Sequence, residues 1–270
     1  MTLACLPWLM PQMAKSRSSK KTTPKGKKRD VSEQEAPQPL GWIARLRLRL
    51  RRFLFWTLAG VLSVVLGWTL LYAVINPPTT PYMFAEGRKW GAVSQTWVPM
   101  EDIAPVMARA VVAAEDANFC LHWGLDVYAI RVAAERGTGG ASTISQQVVK
   151  NVFLWHGRSW ARKSIEALWT PLAEAVWSKR RILEIYLNVA EFDQQVFGVQ
   201  AAAQHYFGVN ARDLSGAQAA RLAAILPAPK QRSAADPSPY TRQRADFILD
   251  GAATIAADGR ANCFETLAED

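Results

Sequence analysis

Cysteine is scarce in this 270-residue chain, and the three that occur, Cys5, Cys120 and Cys263, are odd in number and far apart. None belongs to a Cys-x-x-Cys pair, and no histidine stands at metal-ligand spacing from them. This argues against a zinc site and against a disulfide framework, and it leaves Cys120 as a small buried residue beside a core aromatic. Runs of alternating apolar and polar residues are missing too, so strands are not expected. No internal repeat is visible.

Acidic residues are scarce at one end only. Residues 1–52 hold 13 Lys+Arg against 3 Asp+Glu, a net of +10, whereas the rest of the chain holds 19 against 20. The basicity therefore belongs to an N-terminal tail, and the remainder lacks the general basic surface that a nucleic-acid partner would require. A hydrophobic content of 50% supports a real core and excludes a wholly disordered chain.

Charge is absent altogether from Phe53 to Ile75, a run of 23 residues. At ~1.5 Å per residue this is enough helix to cross ~30 Å of hydrocarbon. The run is too long for the apolar part of a signal peptide, and Ala-x-Ala is missing before Asn76, so it reads as a retained anchor. Arg45, Arg47, Arg49, Arg51 and Arg52 stand immediately before it, which by the positive-inside rule places the N-terminus in the cytoplasm and the rest outside. The organisation expected is a basic tail over 1–52, a transmembrane helix over 53–75, a stiff Pro-rich linker over 76–81, a catalytic domain over 82–250 and a weakly specified tail over 251–270.

The domain reads as all-α. Helices are expected at about 105–116, 143–154, 160–177, 179–188, 199–207 and 240–256. Asp126 can cap a further helix ended by Gly137, and Ser215 with Gln218 forms a capping-box pattern before a helix stopped at Pro227.

Three polar constellations are hard to explain as packing. In the first, Glu115 and Asp116 end an apolar helix and are followed by Asn118, Phe119 and His122. Two carboxylates at a helix C-terminus oppose the macrodipole at ~0.3–1 kcal/mol each when exposed, and an unfavourable placement hints at function. His122 taken alone is a structural hydrogen-bonding residue. In the second, a glycine loop (Gly139, Gly140, then Ala141 and Ser142) opens onto a helix where Thr143 and Gln146 fit a capping box. Gln147, Lys150 and Asn151 fall on one face of that helix, whose start can receive an anion with Lys150 adding a point charge. In the third, Arg158, Arg162 and Glu166 share one helical stripe with Lys163 beside them. An Arg–Glu pair at this spacing is ordinarily a surface ion pair worth ~0.2–0.5 kcal/mol. Together with the second constellation, however, it gathers cations and donors suited to a pyrophosphate leaving group.

In this order and spacing, behind one N-terminal anchor, these motifs resemble the monofunctional biosynthetic peptidoglycan transglycosylases. The segments Arg181-Ile-Leu-Glu-Ile-Tyr-Leu-Asn188 and Ala201-Ala-Ala-Gln-His-Tyr-Phe-Gly208 match as well, and the resemblance spans roughly Val98 to Ile248. It implies a lysozyme-like all-α glycosyltransferase domain that joins lipid II into β-1,4 glycan strands with inversion and releases undecaprenyl pyrophosphate. Glu115 would be the general base for the acceptor 4-hydroxyl and Glu166 the second acid of the site. Lys150 and Arg158 would stabilise the pyrophosphate, and Ser142, Gln146 and Gln147 match substrate contacts, with Arg162 and Lys163 as neighbours. No tightly bound cofactor is implied, and a divalent cation (Mg²⁺ or Mn²⁺) riding on the pyrophosphate is compatible with the absence of a ligand cluster. The partners implied are lipid II and the growing glycan chain, the bacterial inner membrane and other cell-wall synthesis proteins.

Two residues depart from the pattern. Ala141 stands where glycine is commoner, and Asp193 stands where glycine would permit a positive φ. A lytic enzyme using a lone glutamate competes for the reading, but a neutral leaving group has no need of Lys150 and Arg158. A non-catalytic scaffold has no need of the acids either. A transpeptidase is not expected, because the early Ser-x-x-Lys match, Ser18 to Lys21, lies in the tail.

Overall fold

The computed structural model describes residues 41–137, 140–157 and 159–265. Ten α-helices lie among them: α1 (Trp42–Val74), α2 (Pro81–Trp90), α3 (Pro105–Glu115), α4 (Val127–Arg136), α5 (Ile144–Phe153), α6 (Trp160–Val176), α7 (Lys179–Val189), α8 (Val199–Phe207), α9 (Gly216–Ile225) and α10 (Pro239–Ala257). The expected helices appear within a residue or two of their expected ends, because their stops are written in local chemistry. Asp126 accepts the Ala129 N–H at 2.8 Å to cap α4, and Gly137 ends it in the left-handed conformation. Ser215 and Gln218 close a capping box on α9.

The helix α1 is long and apolar enough to cross a membrane, with a mean hydropathy of 2.0 over its most apolar window. From Leu54 onward it belongs to the same compact unit as the rest of the fold. Its one buried residue, Thr69, accepts the Trp169 Nε1–H on its hydroxyl at 2.9 Å and the Trp177 Nε1–H on its carbonyl at 2.7 Å. Arg181 donates to the carbonyls of Tyr72 and Ile75 at 3.1 and 2.9 Å, giving the end of α1 the cation that its dipole favours. Bonds to α6 and α7 thus fix the last two turns of α1.

Three elements depart from the expectation. The linker ends in a helix start: the Thr80 side chain accepts the Met83 N–H, and Pro81 opens α2. A small sheet also forms, with β1 (Ser94–Gln95) parallel to β3 (Val196–Phe197) and β2 (Glu191–Asp193) antiparallel to β3 across a bulge. Its strands are two or three residues long, too short to show an alternating pattern. Asn188, fully buried, ties this edge together by accepting the Val98 N–H and donating to the Val98 carbonyl, both at 2.8 Å. Finally, residues 251–265 are not a loose tail, since α10 runs on to Ala257 and the following turn buries Phe264.

Packing of α3 against α9 and α10 is mediated by small residues. Ala110, Ala219, Ala220, Ala223, Ala224 and Ala252 are buried there, and a Cβ on Gly251 would come within 3.1 Å of Ala113. This close packing returns the chain to the loop after α3, where Cys263 forms a disulfide with Cys120 at a Cα–Cα distance of 5.8 Å. The expectation of unpaired cysteines is thereby corrected, because a partner 143 residues away leaves no spacing signature. Closing so long a loop constrains the unfolded chain strongly, so Cys263→Ser is expected to cost about 2–5 kcal/mol, read from denaturant unfolding in detergent. Equal midpoints for variant and wild type would show that the bridge is energetically idle.

The doubtful loop is resolved as well. Among the described residues the non-glycine residue with positive φ is Gln195, at 64°, and not Asp193. Asp193 sits in β2, where its carboxylate accepts from the hydroxyl of Tyr206 at 3.2 Å and pairs with His205. Ala141 is likewise undemanding, since Gly140 carries the positive φ of 117°.

Candidate active site

The end of α3 meets the start of α5. Asp116 is buried, accepts the Ile144 N–H at 3.0 Å and pairs with His122 at 2.9 Å. One of the two adjacent acids therefore compensates the N-terminal dipole of α5. The expected anion site at that helix start is filled from within, by Asp116 and by the Thr143–Gln146 capping box. Gln146 is spent on this cap, its Oε1 accepting the Thr143 N–H at 3.1 Å. Gly124 makes the junction close. Its carbonyl accepts the Thr143 hydroxyl at 2.5 Å, its φ is 78°, and a Cβ there would lie 2.6 Å from Thr170.

Glu115 is left free of this scaffold. Its Oε2 accepts one hydrogen bond from Gln147 Nε2 at 2.9 Å, and Gln147 Oε1 in turn accepts from the buried Tyr186 hydroxyl at 3.3 Å. Burial pushes the Glu115 carboxyl above its ordinary range, opposed by the Gln147 hydrogen bond and by the charges of Arg244 and Lys150. Gln147, Lys150 and Asn151 line a cleft of about 170 Å³, as their helical spacing predicts, facing Tyr82, His156 and Glu191. Burial holds the Lys150 ammonium below its ordinary value, although Glu166 pulls the other way. Lys150 makes no ion pair among the described residues. A second recess, of about 310 Å³, is lined by Glu115 itself together with Asp126, Ser142 and Thr143.

In the third constellation the acid is buried rather than part of a surface pair. Glu166 is 2% exposed and is gripped by Arg162 and Lys163, each at 2.5 Å. Lys163 Nζ also donates to Ser142 Oγ at 3.1 Å, joining the glycine loop to α6. Arg158 lies outside the described residues. Among the described residues, no group of three or more His, Cys, Asp or Glu could hold a metal ion. The acids are already committed, Glu166 to two cations and Glu115 to Gln147.

With this geometry in view, comparison with known proteins is decisive. The Transglycosylase family model matches residues 85–253. The chain belongs to the transglycosylase family. Proteins named biosynthetic peptidoglycan transglycosylase from Jannaschia sp. (strain CCS1), Pseudomonas entomophila (strain L48) and Caulobacter vibrioides (strain ATCC 19089 / CIP 103742 / CB 15) are 56%, 47% and 43% identical to it. The alignments cover 82%, 76% and 80% of this chain and 95%, 90% and 94% of those relatives.

This transglycosylase carries cleft residues that its sequence motifs do not announce. Tyr82 stacks on His156 with ring centroids 3.5 Å apart and donates to Glu191 at 2.8 Å. Lys230 Nζ bridges Glu86, Glu191 and the Tyr82 hydroxyl. Burial, then the nearby Lys150, lowers the His156 pKa to about 4, so the ring is neutral near pH 7. These residues come from four separate segments, and a helix start at Thr80-Pro81 is the single local signal that could have pointed to them.

Proposed function

We infer that this transglycosylase is a peptidoglycan glycosyltransferase that polymerises the lipid-linked disaccharide into glycan strands for the cell wall. The observation that carries the reading is a half-buried carboxylate, Glu115, held by one neutral donor and within the field of a half-buried ammonium, Lys150, that makes no ion pair among the described residues. Glu115 takes the proton of the acceptor 4-hydroxyl as that oxygen attacks the donor's anomeric carbon. The bond from that carbon to the pyrophosphate oxygen breaks, its electron pair leaves with the pyrophosphate, and an α-linked donor becomes a β-1,4 product. Lys150, with Arg158, offsets the charge on the departing group. Gln147 orients Glu115 from the wall of the cleft, and Glu166 holds Arg162 and Lys163 in the site. No step is assigned to a metal, because among the described residues the acids do not converge as ligands. A divalent cation would arrive on the pyrophosphate with its waters.

We place the N-terminus in the cytoplasm and the domain beyond α1 outside the bacterial inner membrane. The arginine-rich flank supports this, and so does the Cys120–Cys263 disulfide, since such bonds persist in oxidising compartments. A reporter that works only in the cytoplasm, fused to the C-terminus, is expected to give no signal. A strong signal from intact fusion would reverse the topology. For the chemistry, purified protein in detergent is given lipid-linked disaccharide and the products are resolved. Polymer is expected, and hydrolysed sugar alone would replace the transferase reading with a lytic one.

A further inference from the structure

The groove behind the end of α3 holds a cation that the chemistry above leaves unused. Arg244, on α10, reaches across the C-terminal turn of α3 and donates from Nη2 to the carbonyl of Ala114 at 3.4 Å, one residue before Glu115. Its Nε is buried with no hydrogen-bond partner, and it makes no ion pair among the described residues. Its side chain lines a groove of about 290 Å³ with Ala113, Ala114, Tyr240 and Phe247. An unpaired guanidinium beside an apolar groove is costly unless a negative charge lies within reach. Two such charges are available here, the dipole end of α3 and the Glu115 carboxylate that terminates it.

The groups facing Glu115 can be named element by element. Gln147 and Lys150 come from α5, Tyr186 from α7, Asp116 from the next position in the chain and Arg244 from α10. Tyr186 is buried and neutral, and Asp116 is taken by His122 and the Ile144 N–H. Two cations remain among the described residues, Arg244 and Lys150, and the charge of each opposes the rise of the Glu115 pKa. Their situations differ once substrate is bound. The charge of Lys150 is then shared with the pyrophosphate, whereas Arg244 approaches α3 through the separate groove and keeps its charge for Glu115.

We propose that Arg244 is a positioning residue whose guanidinium keeps Glu115 ionised, and so able to accept a proton, while the pyrophosphate occupies Lys150. This rests on the general-base reading of Glu115, so the test has one readout that depends on activity and one that does not. Protein carrying ¹³C-carboxyl glutamate is titrated by NMR, with the Glu115 resonance assigned by its loss in Glu115→Gln, and kcat/KM is measured over the same pH range. In Arg244→Gln the Glu115 midpoint is expected to rise by about one pH unit or more, and the acid limb of kcat/KM to rise with it. In Arg244→Lys, which keeps the charge, both should stay near wild type. Phe247→Glu adds a carboxylate one turn from Arg244 at an exposed position, so it should raise the midpoint by pairing with the guanidinium. An unmoved midpoint in folded Arg244→Gln, or in Phe247→Glu should Arg244→Gln not fold, overturns the proposal. A midpoint that moves while the acid limb stays fixed leaves the coupling standing and instead removes Glu115 from the general-base role.

Discussion

Glu115→Gln is expected to fold normally and to polymerise at least ~10²-fold more slowly than wild type, with binding of the lipid substrate largely retained. Glutamine keeps the shape and can still meet Gln147 but cannot take the acceptor's proton. Stability should hold or rise, for two physical reasons. A negative charge is removed from the C-terminal end of α3, where the dipole opposes it. Burial also raises the folded-state pKa of Glu115 above its unfolded value. A carboxyl shifted in that direction contributes stability below its unfolded pKa, and the contribution is lost as pH rises through the folded pKa. Above the folded pKa the ionised group is therefore a burden that glutamine lifts. The same shift places the acid limb of the wild-type kcat/KM profile above the usual carboxylate range. The measurement is initial polymerisation rate on protein whose fold is checked by circular dichroism. A rate within about threefold of wild type would sink the general-base assignment, whereas a loss of binding equal to the loss of rate would make Glu115 a substrate-positioning residue.

How much of this was legible in the sequence depends on the distance over which each feature is encoded. The face formed by Gln147, Lys150 and Asn151 follows from helical spacing alone, and all three line the cleft. The caps at Asp126, Thr143 and Ser215 are written within four residues and are correctly read. Asp116 looks as functional as Glu115 in the sequence but is spent on holding α5 to α3, because a buried polar group's partner is set by tertiary packing. Arg162 and Glu166 show the reverse. Their spacing suggests an exposed pair, yet Trp169 and Thr170 on the same helix turn that face inward and bury Glu166. The disulfide, the Tyr82–His156 stack and the approach of Arg244 to Glu115 join segments 143, 74 and 129 residues apart, where no local pattern can carry them.

Lys150→Met is expected to lose about 10²–10³ in turnover, the scale on which removing one preorganised charge stabiliser is felt. Methionine retains most of the stem's length and packing, so the change isolates the ammonium. The stability effect should run opposite to the activity effect. Burial lowers the folded-state pKa of Lys150 below its unfolded value, with Arg162 and Lys163 adding to the fall and Glu166 and Glu115 resisting it. Below the folded pKa both states are protonated, and the folded state carries the full cost of a buried charge. That cost is relieved only as pH rises from the folded toward the unfolded pKa, so below the folded pKa it is present in wild type and absent from Lys150→Met. A variant that melts at the same temperature or higher while turning over poorly is the signature of a charge kept for chemistry against the interest of the fold. The comparison needs thermal unfolding in detergent beside single-turnover polymerisation with labelled lipid-linked disaccharide. Near wild-type turnover would take Lys150 out of the pyrophosphate site. A parallel drop in melting temperature and rate would show that the ammonium serves the packing of α5 against α6 instead.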